Sequence, residues 1–309
     1  MKDKISNIIV SIARYVFLIS FSYVLLYPLL FIIVHTFQDA IDYNDPTVQW
    51  ISKNFTLENI TWGLKTIGFL DALKSTVFVQ VLSSLIQVVT CGFTAYGLSR
   101  FKFKGQNLAI ALLFVNILVP PSMLIIPNYT NFYSMDFFGI LGFIGDMLGV
   151  NLTINLLNTP WVFYLPAFFG VGLQSGLVIY IFMQFFKSFP KELEEASWID
   201  GLSPFGSFIR IVVPSSGVVI LTVVIFSVVW HWNEYYLPSV YLTDNFPIAV
   251  KIYDIFNRFL MATSGDRDSS IVINAAMAVI LMFILPMLVM FILVQKRFIK
   301  SIARSGIVG

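Results

Sequence analysis

The stretch from Val272 to Gln295 contains no charged side chain, and as a helix it is long enough to cross a bilayer, which takes about 20 apolar residues. That constrains the fold more than any other feature, because a chain in hydrocarbon must satisfy its backbone hydrogen bonds internally, in helices or closed barrels. Five further runs approach or meet the same length, at 15–37, 72–98, 107–127, 163–187 and 215–241. The expectation is an all-α integral membrane protein with six transmembrane helices. Composition agrees: 12% of the residues are charged and 58% hydrophobic, mean hydropathy is +0.84, and ordinary soluble domains carry about 25% charged residues. Lys2 and Lys4 precede the first run, but its length and the lack of a small-residue cleavage pattern mark it as a retained span rather than a secretory leader.

Positive charge favours the cytoplasmic side of a membrane. With six spans and a cytoplasmic N-terminus, 13 of the 19 Lys and Arg fall inside, among them Arg100, Lys102, Lys104, Lys187, Lys191, Arg210 and the basic residues after Lys296. Both termini are therefore expected in the cytoplasm. The segment 134–162 is apolar enough to imitate a seventh span. A seventh span would separate the polar 188–216 loop from the basic C-terminal tail, so this segment reads as an interfacial helix or re-entrant loop. No long repeat or Pro- or Ser-rich linker divides the chain, which implies a single membrane domain over 1–309, with extracellular segments at 38–70, 128–162 and 243–270.

Several function classes fall away on the same sequence. A net charge of +2 with scattered basic residues offers no nucleic-acid surface. Cys91 is the sole cysteine and His35 and His231 the sole histidines, which leaves no cysteine-based metal site and no disulfide framework. There is no G-x-x-x-x-G-K-[ST] phosphate loop, no H-E-x-x-H and no G-x-S-x-G. Catalytic, metal and cofactor sites are expected to be absent from this chain.

The interruption at 188–216, "SFPKELEEASWIDGLSPFGSFIRIVVPSS", is the most charged stretch between two apolar runs. Pro190 suits the first turn of a helix, and Glu192, Glu194 and Glu195 suit the positive end of its dipole. Gly201 marks a stop. Ser203-Pro204 marks a restart, after which Phe205, Phe208, Ile209 and Val212 fall at i, i+3, i+4 and i+7. Two short helices with a bend at Gly201 follow, carrying an apolar stripe that something must cover. An amphipathic connector lying on the membrane and a docking element for a cytoplasmic partner both satisfy these facts.

Glu195-Ala196-Ser197, Asp200-Gly201 and, nine residues on, Ile211-Val212-Val213-Pro214 resemble the "E-A-A…D-G…I…L-P" signature of binding-protein-dependent ABC-transporter permeases. Ser197 stands where the family usually has a second alanine, and Val213 where leucine is common. "FTLENITW", "AYGLSRFKFKG", "LVPPSMLIIP", "FSVVWHWNEYYLP" and "QKRFIKSIARSGIVG" are similar to the carbohydrate-uptake branch, that of the maltose transporter's G-type permease. The resemblance implies a type I importer permease fold with a family core of about 70–296. It implies that 188–216 couples to a cytoplasmic ATPase through Glu195, Ala196, Ser197, Asp200, Gly201, Phe205, Phe208, Ile211 and Pro214. The implied partners are a second permease, two ABC ATPases that bind ATP and Mg, an extracellular solute-binding protein and a carbohydrate, all at a bacterial or archaeal cell membrane.

In the fifth run, a carboxylate within an apolar helix usually faces a cavity or the bundle interior. Glu234 with Asn233 is thus a candidate for the substrate pathway, and Trp230, Trp232, Tyr235 and Tyr236 add aromatic faces on which sugars could stack. The same aromatics near a span end also fit a membrane-interface belt. His231 reads as a helix-packing residue. Alternatives are a permease for a non-sugar solute, a secondary transporter without ATP, and an interaction protein whose loop recruits a partner. A secondary transporter has no need of a docking helix pair and usually buries several ionisable groups.

Overall fold

The computed structural model describes residues 2–137, 139–150, 152–262 and 269–305. Most of the "SGDRDSS" turn in the 243–270 segment and the last four residues of the tail lie outside that description. The described residues are all-helical, with two isolated bridges, Gln38 to Phe55 and Met135 to Ile154, and no strand among them. Three helices are long and apolar enough to cross a membrane unaided, Ile9–Phe37, Phe69–Arg100 and Ser270–Lys296. Two bent pairs bring the count to five: Gln106–Leu118 with Pro121–Tyr133, at 97°, and Pro204–Ser215 with Gly217–Asn233, at 80°.

The third, fourth and fifth runs, expected as continuous spans, are each interrupted. Val119 and Pro120 both precede a proline, which disfavours helical backbone, and both are extended, with ψ of 116° and 134°. The fourth run divides into Trp161–Phe168 and Ser175–Ser188 around Gly170 at φ +69° and Gln174 at φ +56°. The fifth stops at Asn233, turns through Glu234 and resumes as Tyr236–Tyr241. Segment 134–162 holds one nine-residue helix, Ile140–Leu148, bounded by Gly139 and Gly149 at positive φ. Alone it is too short to cross hydrocarbon.

The chain forms two compact units. The first comprises residues up to Phe69 and Asp254–Leu288. Here Asn59 Nδ2 donates to the Thr36 carbonyl at 3.1 Å and the Gln38 carbonyl at 2.9 Å, Trp62 packs on Phe259 with ring centroids 4.8 Å apart, and Gly63 lies against the backbone of Ala275, where a Cβ would come within 3.0 Å. The 38–57 stretch is tied by its own polar groups: Asp42 accepts from Asn54 N and Nδ2, and Asp45 accepts from Lys53 Nζ at 2.8 Å and from the Thr47 amide and hydroxyl. Those bonds, led by the Lys53 contact, hold the Asp45 carboxyl well below the usual carboxylate range.

The second unit comprises Leu70–Tyr253 and the residues from Val289. Its core forms where the end of Phe69–Arg100 meets Ser175–Ser188 and Gly217–Asn233. Cys91, Ala95, Val178, Phe182, Met183, Phe186, Val212 and Val223 are buried there. Burying each large apolar side chain of this set contributes about 1.5–3 kcal/mol. Gly92 leaves room for the Phe182 ring, 3.8 Å from where its Cβ would sit.

Candidate functional site

The 188–216 loop builds as its sequence dictates. Helix Lys191–Ile199 starts after Pro190 and ends in a paired closure, Gly201 N–H to the Trp198 carbonyl and Leu202 N–H to the Ser197 carbonyl, both 3.0 Å. That Schellman closure requires a left-handed residue, which favours glycine, and Gly201 has φ +88°. Ser203 then caps the restart, accepting from Gly206 N–H at 3.1 Å. The second helix runs on to Ser215, and its middle, Phe208–Val212, is a π turn.

Phe205 and Phe208 both pack on Phe93, with ring centroids 6.0 and 5.2 Å apart, but they differ in burial. Phe208 and Val212 are 5% and 0% exposed, with Phe208 against Tyr96 at 4.3 Å and Phe186 at 6.0 Å between centroids. Phe205 and Ile209 remain exposed, joined by Leu193, Trp198 and Ile199. Glu195, Ala196, Asp200, Gly201 and Pro214 are exposed and Ile211 is half-buried.

Glu194 is the carboxylate that the sequence reading did not single out. Its side chain and that of Arg100 are 3% and 5% exposed, with Nη2 2.7 Å from Oε1. Tyr96 OH donates to Oε2 at 3.1 Å, and Arg100 Nη2 also donates to the Phe189 carbonyl at 2.7 Å. Ser197 Oγ donates to the Glu194 carbonyl at 2.7 Å and shares a 2.8 Å hydrogen bond with Ser207 Oγ, linking the two loop helices. The departure from alanine at 197 thus has a structural consequence. The signal for Glu194 was available: Tyr96 and Arg100, four residues apart, lie on one helix face.

The substrate-pathway candidates separate. Trp232 is buried and Trp230 packs on the core. Asn233 donates back to the Val229 carbonyl, and Tyr235 stacks on Tyr253 at 4.4 Å. Tyr236 is exposed. Of the six, Glu234 alone lines a cavity of about 290 Å³, shared with Gln80, Asn116, Gln174, His231 and Tyr241. Glu234 Oε1 accepts from Tyr236 and Leu237 N–H at 2.8 and 2.9 Å, so the carboxylate starts the next helix.

No family model matches the chain. It is 27% identical over 300 residues to a probable ABC transporter permease protein, YurM, of Bacillus subtilis, covering 96% of this chain and 88% of that protein. It is 24% identical over 318 residues to the polygalacturonan/rhamnogalacturonan transport system permease protein YtcP of the same species, covering all of both. By sequence, then, the chain resembles ABC-transporter permeases. Among solved structures, a bacterial ABC transporter that imports the acidic polysaccharide alginate matches with a TM-score of 0.74 at 20% identity, over 95% of this chain and 98% of that one. The permease fold and the long apolar helices make this a multi-pass membrane protein.

Proposed function

We propose that the chain is one permease subunit of an ATP-driven importer. It pairs with a second, similar permease, lines the path of a carbohydrate, and is driven through the 188–216 loop by two cytoplasmic ATPases that hold ATP and Mg. An extracellular solute-binding protein delivers the cargo. In this reading the chain is a single permease domain of six spans, with both termini cytoplasmic, in a bacterial or archaeal cell membrane, and it catalyses nothing itself.

The observation that carries the reading is the join between loop and span. Tyr96 and Arg100 grip Glu194 in a water-poor contact, while the same loop leaves Glu195, Asp200, Trp198 and Ile199 exposed. A partner that binds these exposed residues would carry the loop and the helix end together. Similarity to a polygalacturonan/rhamnogalacturonan transport permease and to an alginate importer supports carbohydrate as the cargo class.

The test is ATP-dependent uptake in proteoliposomes holding the chain with its co-expressed partners. Glu195→Lys reverses the exposed charge, and uptake should fall at least tenfold while the subunits still co-purify. Unchanged uptake with unchanged ATPase stimulation would overturn the coupling role.

A further inference from the structure

Four irregularities in otherwise helical segments converge on the 290 Å³ cavity. The π segment Thr76–Val81 supplies Gln80, the proline break after Leu118 supplies one wall, the turn before Ser175 supplies Gly172 and Gln174, and the break after Asn233 supplies Glu234. In a membrane protein, backbone that leaves the helix is tolerated where it is buried in protein or lines a cavity. We infer that this cavity is a subsite for one neutral sugar ring, formed by this chain alone, an inference that rests on the importer reading above.

Gln80 is the strongest pointer. It lies on the cavity wall, is 1% exposed, and neither its amide oxygen nor its amide nitrogen has a hydrogen-bond partner. An unpaired buried amide is a standing cost of folding, and one donor beside one acceptor matches a pair of adjacent ring hydroxyls. Asn116 and Gln174 repeat that chemistry on the wall. His231 adds an acceptor: its Nδ1 lies 2.8 Å from the Ser227 carbonyl, so Nδ1 carries the proton and Nε2 is left to accept. Apolar lining from Phe132 and the prolines suits the C–H face of the ring.

Charge and size narrow the ligand. No Lys or Arg is among the lining residues, and Glu234 is their one carboxylate. A uronate entering here would meet a carboxylate and no cation, so the subsite favours an uncharged ring even though the matching solved transporter imports an acidic polysaccharide. The volume sits at the small end of the roughly 300–1,000 Å³ typical of small-molecule pockets, enough for a single ring rather than a chain.

The experiment uses the full-length chain with its partner subunits in nanodiscs. The probes are glucose, galactose, arabinose and maltose against glucuronate, galacturonate and digalacturonate, read by ligand-dependent thermal shift and direct titration. At least one neutral sugar should bind saturably, with uronates at least tenfold weaker. Gln80→Met, of similar shape, should weaken that sugar tenfold or more while the sugar-free complex melts no lower than the parent. Tighter uronate binding, no saturable sugar, or unaltered affinity in Gln80→Met would each overturn the subsite. Uptake in the same preparation separates the two readings: ATP-driven uptake indifferent to Gln80→Met removes the subsite and leaves the importer, whereas no ATP-driven uptake of any solute removes the importer.

Discussion

One helix, Phe69–Arg100, carries two buried polar side chains with opposite surroundings. Near its end, Arg100 meets a carboxylate, a carbonyl and an aromatic ring, and a tyrosine hydroxyl also donates to Glu194, leaving Arg100 Nε without a hydrogen-bond partner. Twenty residues earlier, Gln80 is as deeply buried, yet neither of its amide atoms has a partner. A satisfied buried network rigidifies its surroundings, while an unsatisfied one is a liability unless another molecule completes it. On the subsite reading, it is an unpartnered amide together with a place on the cavity wall, rather than burial alone, that separates Gln80 from a structural polar group.

The largest effect should come from breaking the ion-paired end. Arg100→Met leaves Glu194 buried without its cation, at a cost of about 3–5 kcal/mol, whereas Arg100→Met with Glu194→Leu should recover most of it. Unfolding of the purified protein would show this, and a single variant that melts like the parent would erase the contrast. Next is Ser197→Ala, which strands the fully buried Ser207 hydroxyl and should cost about 1–3 kcal/mol. Gln80→Met should have the reverse sign, leaving stability unchanged or raising it by about 1 kcal/mol, because it removes an unpaired amide without removing a bond. A clear loss of stability there would make Gln80 structural and dissolve the comparison. The smallest effect lies in the other compact unit. Asp45, with its folded pKa depressed, contributes stability above the unfolded value of about 3.9 that is lost as pH falls toward the folded value. Asp45→Asn should therefore flatten the acid side of the stability profile and change little else.

Length and hydropathy made the apolar helices legible, and the loop was legible nearly to the residue, because Gly201 and Ser203-Pro204 punctuate the backbone by steric rules. The breaks inside the apolar runs were harder. Pro120-Pro121 and the glycines of "FFGVGLQSG" signalled two of them, but hydropathy averages over such short interruptions. The third break has no glycine or proline at the turn itself. It arises from Glu234 capping Tyr236 and Leu237, a job any carboxylate can do and few perform inside an apolar run. Glu195 came from the family signature, whereas the burial of Glu194 turns on helix facing, which depends on the elements packed against the loop. The apolar period marked a stripe that needs cover, but only the fold shows that the chain's own Phe93, Tyr96 and Phe186 cover Phe208. The aromatic cluster after Trp230 fitted either a sugar-stacking face or an interface belt, yet its members separate because the helix ends among them.

Phe69–Arg100 continues helical from Gln80 to Arg100 without an intervening loop, about 30 Å at 1.5 Å per residue. Such a rod transmits displacement instead of absorbing it. On the importer reading, a pull on Glu194 would reach Gln80 along unbroken helix, and the π segment Thr76–Val81 that carries Gln80 would be where the rod's register has room to slip. Filling the cavity and moving the loop would then be two ends of one mechanical stroke.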